Sequence, residues 1–469
     1  MAARALPDVD HGSREKRFEA FERGNDLFAF TVDGWSAWRV LRNPVQRLAI
    51  GPRVPPLARS DALRSLRAII STFKLLWLLV AGGRRELLVK TSRSGLRMRE
   101  GERYRDVYFD GVLQRGHSCL KLEETNSPDF ARQASAAVLP SDLDPVVFTF
   151  WGRVLGRLFP LREAGAFCDR VAHLVAQEID VTVAGPWLLM RLSTVYWQIR
   201  LYSALLGRIR PSAVLVADTG EYALRIACQR RGIRFIELQH GVFDAKHPDA
   251  VPLWCHGTPK ELILPDVLAC RGEYWIEQLA STRQGRDHAV AVGNELIDLA
   301  RERRRLRASQ GPLRLVLTSQ GVDSSRLASW ISEMTVAAPA GLDWRLTIKL
   351  HPVNDVRTHD YDALASDARI IIVGGAEQPN VFDLLADADV HLSIASACHF
   401  DAAALAVPTV VVPLNGHELM LDAVDDKQFF LASTPATVWG VARWPPIDGS
   451  RAHRFATPGF IDNFERIIQ

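Results

Sequence analysis

From about residue 200 onward, short apolar, β-branched runs alternate with stretches of helical character, and nearly every run ends in a turn of polar or small residues. An apolar run without polar alternation is buried on both faces, which calls for a parallel sheet covered by crossover helices. Residues 213–217 (AVLVA) predict such a strand, followed by a helix over 222–231 that Gly232 closes, and a second strand over 234–238 (RFIEL). That is one βαβ unit. A second series predicts strands over 313–318, 344–350, 370–373, 390–394 and 409–412, with a helix over 325–337. Its spacing suits a doubly wound domain.

The first 200 residues are less regular. Strands are expected over 87–90, 107–110 and 120–123, and a long helical stretch over 154–208, broken near Gly185-Pro186. A chain of 469 residues favours more than one domain. The fold class expected is α/β, with two Rossmann-like domains whose parallel sheets face a central cleft. The first domain covers 1–297 and carries a helical insertion; the second covers 298–469, and its last helix is free to pack back on the first. The RERRRLR run near the boundary is expected to be a solvated helix face, with a phosphate or lipid contact as the alternative.

Composition narrows the partners. Fifty-seven basic residues against 54 acidic ones, net +3, give no case for nucleic acid. Six scattered cysteines without a CxxC pair suggest neither a disulfide framework nor a zinc site, so a reducing, cytoplasmic compartment is expected. The N-terminus lacks an apolar segment of signal-peptide type. The most apolar segment, 68–81 (AIISTFKLLWLLVA), falls short of the ~20 residues needed to span a bilayer. It is expected to be a buried helix. The alternative is a helix lying on the inner face of the cytoplasmic membrane, with Arg64, Arg67, Arg84 and Arg85 touching anionic lipid.

Parallel sheets bind ligands outside the carboxyl ends of their strands, so the polar residues just after predicted strands are the site candidates. His240, in Gln239-His240-Gly241, could donate to a phosphate or move a proton, or pack structurally under its loop. His351, in Lys349-Leu350-His351-Pro352, is presented at a strand tip; Lys349 shares its strand face, so two cations would suit a phosphate. Ser393 and Ser396 lie in a small-residue turn before a helix that carries Asp401, a residue able to hold ribose hydroxyls or to compensate the helix N-terminus. Asp218 and Glu221, after strand 213–217, could act as base or nucleophile, or cap the next helix. Glu123 and Glu124 carry the same ambiguity. Gln320, after strand 313–318, lies where a nucleotide could be met. No GxGxxG, GxxxxGK[ST] or GxSxG motif occurs, and no metal-ligand spacing stands out.

The ordered set LQHG, LPD with RGEYW, AVGN, KLHP, and ADVHLSIAS with FDAAALAVP resembles the bacterial capsule and surface-polysaccharide glycosyltransferases of GT-B type. These include CMP-dependent Kdo transferases, polysialyltransferases and CDP-glycerol transferases. The resemblance covers about residues 210 to 415. It implies that 1–297 is the acceptor side and 298–469 the nucleotide-sugar side. It further implies that His351 contacts the donor phosphate or cytidine, that Ser393 and Ser396 are phosphate ligands, and that Asp218 or His240 performs the chemistry. The family usually has glutamate where Asp401 stands, and the second hydroxyl of the turn is missing at Ala397. The implied activity is metal-independent transfer of a sugar, Kdo or another ulosonic acid, from a CMP-sugar to a glycan or lipid-linked glycan of capsule or lipopolysaccharide, with no cofactor beyond the donor. The alternatives are a CDP-glycerol glycerophosphotransferase, for which His256 in WCHGTP would matter, and a non-catalytic nucleotide-sugar-binding subunit of an assembly complex.

Overall fold

The computed structural model describes residues 11–50, 61–91, 98–100, 103–123, 142–217, 220–307, 311–321, 323–351, 355, 358–375, 379–443 and 448–469. Two six-stranded sheets, every pairing parallel, form the frame. The first runs Ala289–Ala291, Val267–Cys270, Arg234–Leu238, Ala213–Val216, Leu87–Thr91, Cys119–Glu123 from edge to edge. Numbered by sequence, that order is 6-5-4-3-1-2. The second runs Ile370–Val373, Trp344–Lys349, Leu313–Thr318, Val390–Ser393, Thr409–Val411, Phe430–Leu431, the order 3-2-1-4-5-6. The expected pair of Rossmann-like α/β halves is what forms.

The strands lie where the apolar runs put them, because Val214, Leu215, Leu317, Leu346, Leu392 and Val410 are all buried to 1% exposure or less. Helix ends follow local chemistry. Gly232 closes the helix Tyr222–Arg231 with φ of +64°, a left-handed conformation that favours glycine. Asn294 starts the helix Glu295–Arg305 by accepting from the N–H groups of Leu296 (3.0 Å) and Ile297 (3.2 Å).

Four expectations need correction. Residues 107–110 form a turn into the short helix Asp110–Leu113, not a strand. Side-chain bonding decides it: Asp106 accepts from Tyr108 N–H (3.0 Å), and Asp110 accepts from Asp106 N–H (2.9 Å) and Lys121 Nζ (2.5 Å). The stretch 154–208 is three helices, Val146–Leu158, Gly165–Glu178 and Gly185–Ile209. Pro160 disfavours helical backbone at Phe159, and Pro186 sits in the first turn of the third helix. The basic run is a solvated face only in part: Glu302, Arg303, Arg305 and Leu306 are exposed, while Arg301 and Arg304 turn toward the protein. Arg301 donates to the carbonyls of Ala404 and Ala456, Arg303 pairs with Asp383 and Asp387, and Arg304 donates to the carbonyls of Ala386 and Ala388. These contacts hold the helix Glu295–Arg305 against the second half.

Finally, the apolar segment is only half buried. It belongs to the helix Asp61–Ala81, whose Ala68, Leu75 and Leu78 pack inward while Phe73, Trp77 and Val80 are 70%, 63% and 78% exposed. Among the described residues no helix is long and apolar enough to cross a membrane.

The two halves share packing. Phe243, Tyr274 and Trp275 join Phe400, Phe429 and Phe455 in one core cluster, with the Trp275 and Phe400 ring centroids 4.7 Å apart. The last helix, Phe460–Ile468, inserts Phe460 and Phe464 beside Phe109 in the core of the first sheet.

Candidate functional site

In a doubly wound sheet the crevice opens where neighbouring strands send their connections to opposite faces. In the second sheet that point lies between Leu313–Thr318 and Val390–Ser393. Gln320 closes it. Its amide donates to Ala395 O (2.7 Å) and accepts from Ala395 N–H (3.0 Å), so one side chain holds both turns in register. In the first sheet the corresponding point lies between Leu87–Thr91 and Ala213–Val216. There Lys90 forms an ion pair with Glu221. Each switch point is thus spanned by a polar bridge.

The carboxyl ends of the two sheets are tied to each other as well. Gln239 donates to Gly241 O (2.8 Å) and accepts from the N–H of Arg271 (3.0 Å). The Arg271 guanidinium, at the end of the strand Val267–Cys270, donates to Asp401 of the second half at 2.7 Å. One chain of contacts therefore runs from the His240 turn on the first half to the helix behind Ser396 on the second. Burial pushes the Asp401 carboxyl up, against the opposing pull of Arg271.

The candidates fall into distinct settings. His240 is partly exposed on its turn; burial, with a smaller contribution from His240, pushes the neighbouring His247 down to about 4, Asp249 opposing. The loop after His240 is anchored from beneath: Arg39 donates to Asp249 O (2.7 Å), and the Tyr222 hydroxyl bonds the Asp249 carboxylate. Glu221 is held by Lys90, and its side chain makes no capping bond to the helix it precedes. Asp218, Glu124 and Pro352 lie outside the described residues.

His351 is half-buried, and its backbone N–H donates to Asp355. Burial lowers its imidazole pKa, Asp355 opposing. Asp355 also accepts from Ser319 Oγ (3.0 Å), which contacts the Tyr361 hydroxyl at 2.9 Å. Lys349 is buried, with Nζ donating to Gly374 O at 2.7 Å. Ser393 is fully buried, its hydroxyl donating to Thr318 O (2.6 Å) within the sheet. Ser396 Oγ accepts from Cys398 N–H (3.2 Å), which ties it into the turn before the seven-residue helix Cys398–Ala404, whose N-cap is Ala397. Asp401 is committed to Arg271. His256 is on an exposed loop and not at a strand end.

Lys90, Arg271 and Asp355 belong to this region, although none was singled out from the sequence. Lys90 had a signal, a cation within an apolar run predicted as a strand. Arg271 and Asp355 are recognisable only through their partners. Among the described residues no group of three or more His, Cys, Asp or Glu side chains gathers as for a metal ion.

No family model matches the chain, and no curated protein matches it. Solved structures do. The chain is similar to the UDP-GlcNAc 2-epimerase from Methanocaldococcus jannaschii, at 12% identity and a TM-score of 0.47, over 81% of this chain and 98% of that one. It is similar to MurG from Acinetobacter baumannii at 13% identity and a TM-score of 0.47, over 82% and 99%. It is also similar to a variant of the wall teichoic acid polymerase TagF at 12% identity and a TM-score of 0.47, over 88% and 97%. Likeness at this level is one of fold alone.

Proposed function

We propose that this protein is a glycosyltransferase that moves a sugar, Kdo or another ulosonic acid, from a CMP-linked donor onto a growing glycan or lipid-linked glycan of the bacterial surface. The observation that carries the proposal is the contact chain from Gln239 through Arg271 to Asp401, which ties the carboxyl ends of two doubly wound sheets to each other. Such ends are where nucleotides and phosphates bind. A reaction between two bulky partners needs two such walls and little water between them.

In this reading the second half takes the nucleotide. His351 donates to the donor phosphate, and Lys349, buried behind it, adds positive potential. Gln320 keeps the turn of Ala395 and Ser396 in place beside the nucleotide. Ser393 contributes through the sheet and not by direct contact. The acceptor hydroxyl oxygen bonds to the anomeric carbon, the bond from that carbon to the phosphate oxygen breaks, and CMP leaves with the electron pair. The hydroxyl proton passes to Asp218 or His240; in a retaining course Asp218 attacks the anomeric carbon first. Glu221 and Lys90 order the floor of the acceptor side. The working place proposed is the inner face of the cytoplasmic membrane.

The test is a donor screen with the purified chain and a crude surface-glycan acceptor, scored by mass spectrometry for released nucleotide and extended product. CMP release that depends on the acceptor is the expected result. Release from UDP-sugars alone would overturn the donor assignment. Glycerol phosphate transfer from CDP-glycerol, lost in His256→Ala, would make the protein a phosphotransferase. Nucleotide binding without turnover of any donor would make it a binding subunit.

A further inference from the structure

We propose that the helix Asp61–Ala81 seats this protein on an anionic lipid bilayer, lying in the plane of the headgroups with its outer face in the acyl boundary. The helix is apolar on two opposite faces. One, with Ala68, Leu75 and Leu78, is buried against the protein. The other presents Leu66, Ile69, Ile70, Phe73, Leu76, Trp77 and Val80, each about half exposed or more. Their spacing of three and four residues makes a continuous stripe along the whole helix. A water-soluble surface rarely carries such a stripe without something to cover it.

Charge identifies the cover. Between Ala62 and Arg85 the sequence has Arg64, Arg67, Lys74, Arg84 and Arg85 and no acidic residue. The helix Val146–Leu158 runs beside it, tied by Trp151 Nε1 to Thr72 Oγ1 (2.9 Å) and by the Arg67–Asp144 pair. That helix carries Arg153 and Arg157 and no acid, and it ends in the exposed Leu158 and Phe159. The helix Gly185–Ile209, which also packs here, carries Arg191, Arg200 and Arg208 and no acid. Of the nearby carboxylates, Asp144 is engaged by Arg67 and Glu86 accepts from Ser118 N–H (2.8 Å). In a chain that is nearly balanced overall, three adjacent helices are cationic.

A second copy of the chain fits this face poorly. A two-fold pairing would set the same cations against themselves, with few acids to answer them, since Asp144 and Glu86 are already engaged. A spanning orientation is excluded by the helix's hydropathy and by the exposed Lys74 midway along it. A bilayer surface satisfies both features, since acyl chains take the stripe and anionic headgroups take the flanking cations.

The experiment is vesicle co-sedimentation of the full chain with phosphatidylcholine vesicles, with and without phosphatidylglycerol, alongside light scattering of the protein alone. Wild type should pellet with the anionic vesicles and be released by high salt. A Phe73→Ser/Trp77→Ser variant should lose at least about tenfold in partitioning, since each ring withdraws a large apolar area from water. A Lys74→Gln/Arg84→Gln/Arg85→Gln variant should lose about a hundredfold on anionic vesicles and much of its salt response. All these side chains are exposed or half-exposed, so both variants should melt with wild type; transfer to a soluble acceptor should also be unchanged, which separates this proposal from that of the enzyme's chemistry. Wild type remaining in the supernatant, or serine variants that pellet as wild type does, would overturn it. So would a concentration-dependent dimer that the serine variant abolishes, which would give the face to a second copy.

Discussion

Removing either end of the Arg271–Asp401 contact should cost far more than an ordinary ion pair, because both ends are nearly closed to water. Arg271 is 9% exposed and Asp401 6%, and their contact is 2.7 Å long. Two unit charges about 4 Å apart attract by about 4 kcal/mol at an effective dielectric of ~20. Burial works against this attraction and outweighs it at Asp401, whose carboxyl is pushed up and not down. The pair as a whole therefore adds little to stability, whereas half of it is costly. Arg271→Met or Asp401→Leu alone should each destabilise by ~3–5 kcal/mol, and the double variant by much less than the sum. Urea unfolding is the assay, followed by tryptophan fluorescence, with Trp275 in the shared core as a nearby reporter. Single variants that lose under ~1 kcal/mol, or a double variant that is simply additive, would refute the reasoning. The same proteins test the ribose role that the family resemblance implies for Asp401. If the carboxylate also holds a ribose, Asp401→Asn should weaken nucleotide binding by more than Arg271→Met does, since both lose the pair and only the first loses the ribose contact.

Three further outcomes follow from the site and the core. His391 and His399 are fully buried, and burial drives their pKa values down, His399 to about 3. Below the unfolded value of ~6.5 the unfolded chain binds more protons than the folded one, so stability present at neutral pH is lost as the solution is acidified. The slope should be about 1.4 kcal/mol per pH unit for each ring, and His399→Phe should shallow it in a thermal series from pH 7 downward. His351 starts with a lowered pKa, and a bound phosphate favours its charged form; nucleotide affinity by calorimetry should therefore rise with acidification toward and below the ordinary histidine range and should be flatter in His351→Ala, with a loss of about tenfold at the acidic end. Lys90→Met breaks the bridge to Glu221 at the first switch point; with the pair's side chains only 14% and 17% exposed the melting temperature should fall, and, assayed where the variant is still folded, the rate of nucleotide release should drop by at least about tenfold, whereas an unchanged rate would limit Lys90 to a structural part.

What could be read from the sequence and what could not divide along physical lines. The strand Leu313–Thr318 was legible because a run buried on both faces must be apolar throughout, whatever its neighbours are. The helix Tyr222–Arg231 was legible because glycine at its end is a local necessity. The turn at 107–110 misled because Tyr108 and Phe109 are good strand residues, and the deciding bonds come from Asp106 and Asp110 side chains. The helix Asp61–Ala81 reads either as buried or as lying on a membrane, because periodicity reports an apolar stripe but not what lies against it. Arg271 stands out only as the first residue of the RGEYW motif and its role does not, since its partner is 130 residues away.

Strand order explains the remaining gap. Both halves present the same kind of sequence, apolar run, polar turn and helix, yet the first sheet is ordered 2-1-3-4-5-6 and the second 3-2-1-4-5-6. The crevice therefore opens between the first and third strands in one half and between the first and fourth in the other. Nothing local marks that difference, because any strand could be followed by the same turn. Once the order is known, Lys90 with Glu221 and Gln320 with Ala395 are selected from all the strand ends as the pairs that bridge a switch point. The sequence supplies a list of strand-end residues, and topology decides which of them face each other.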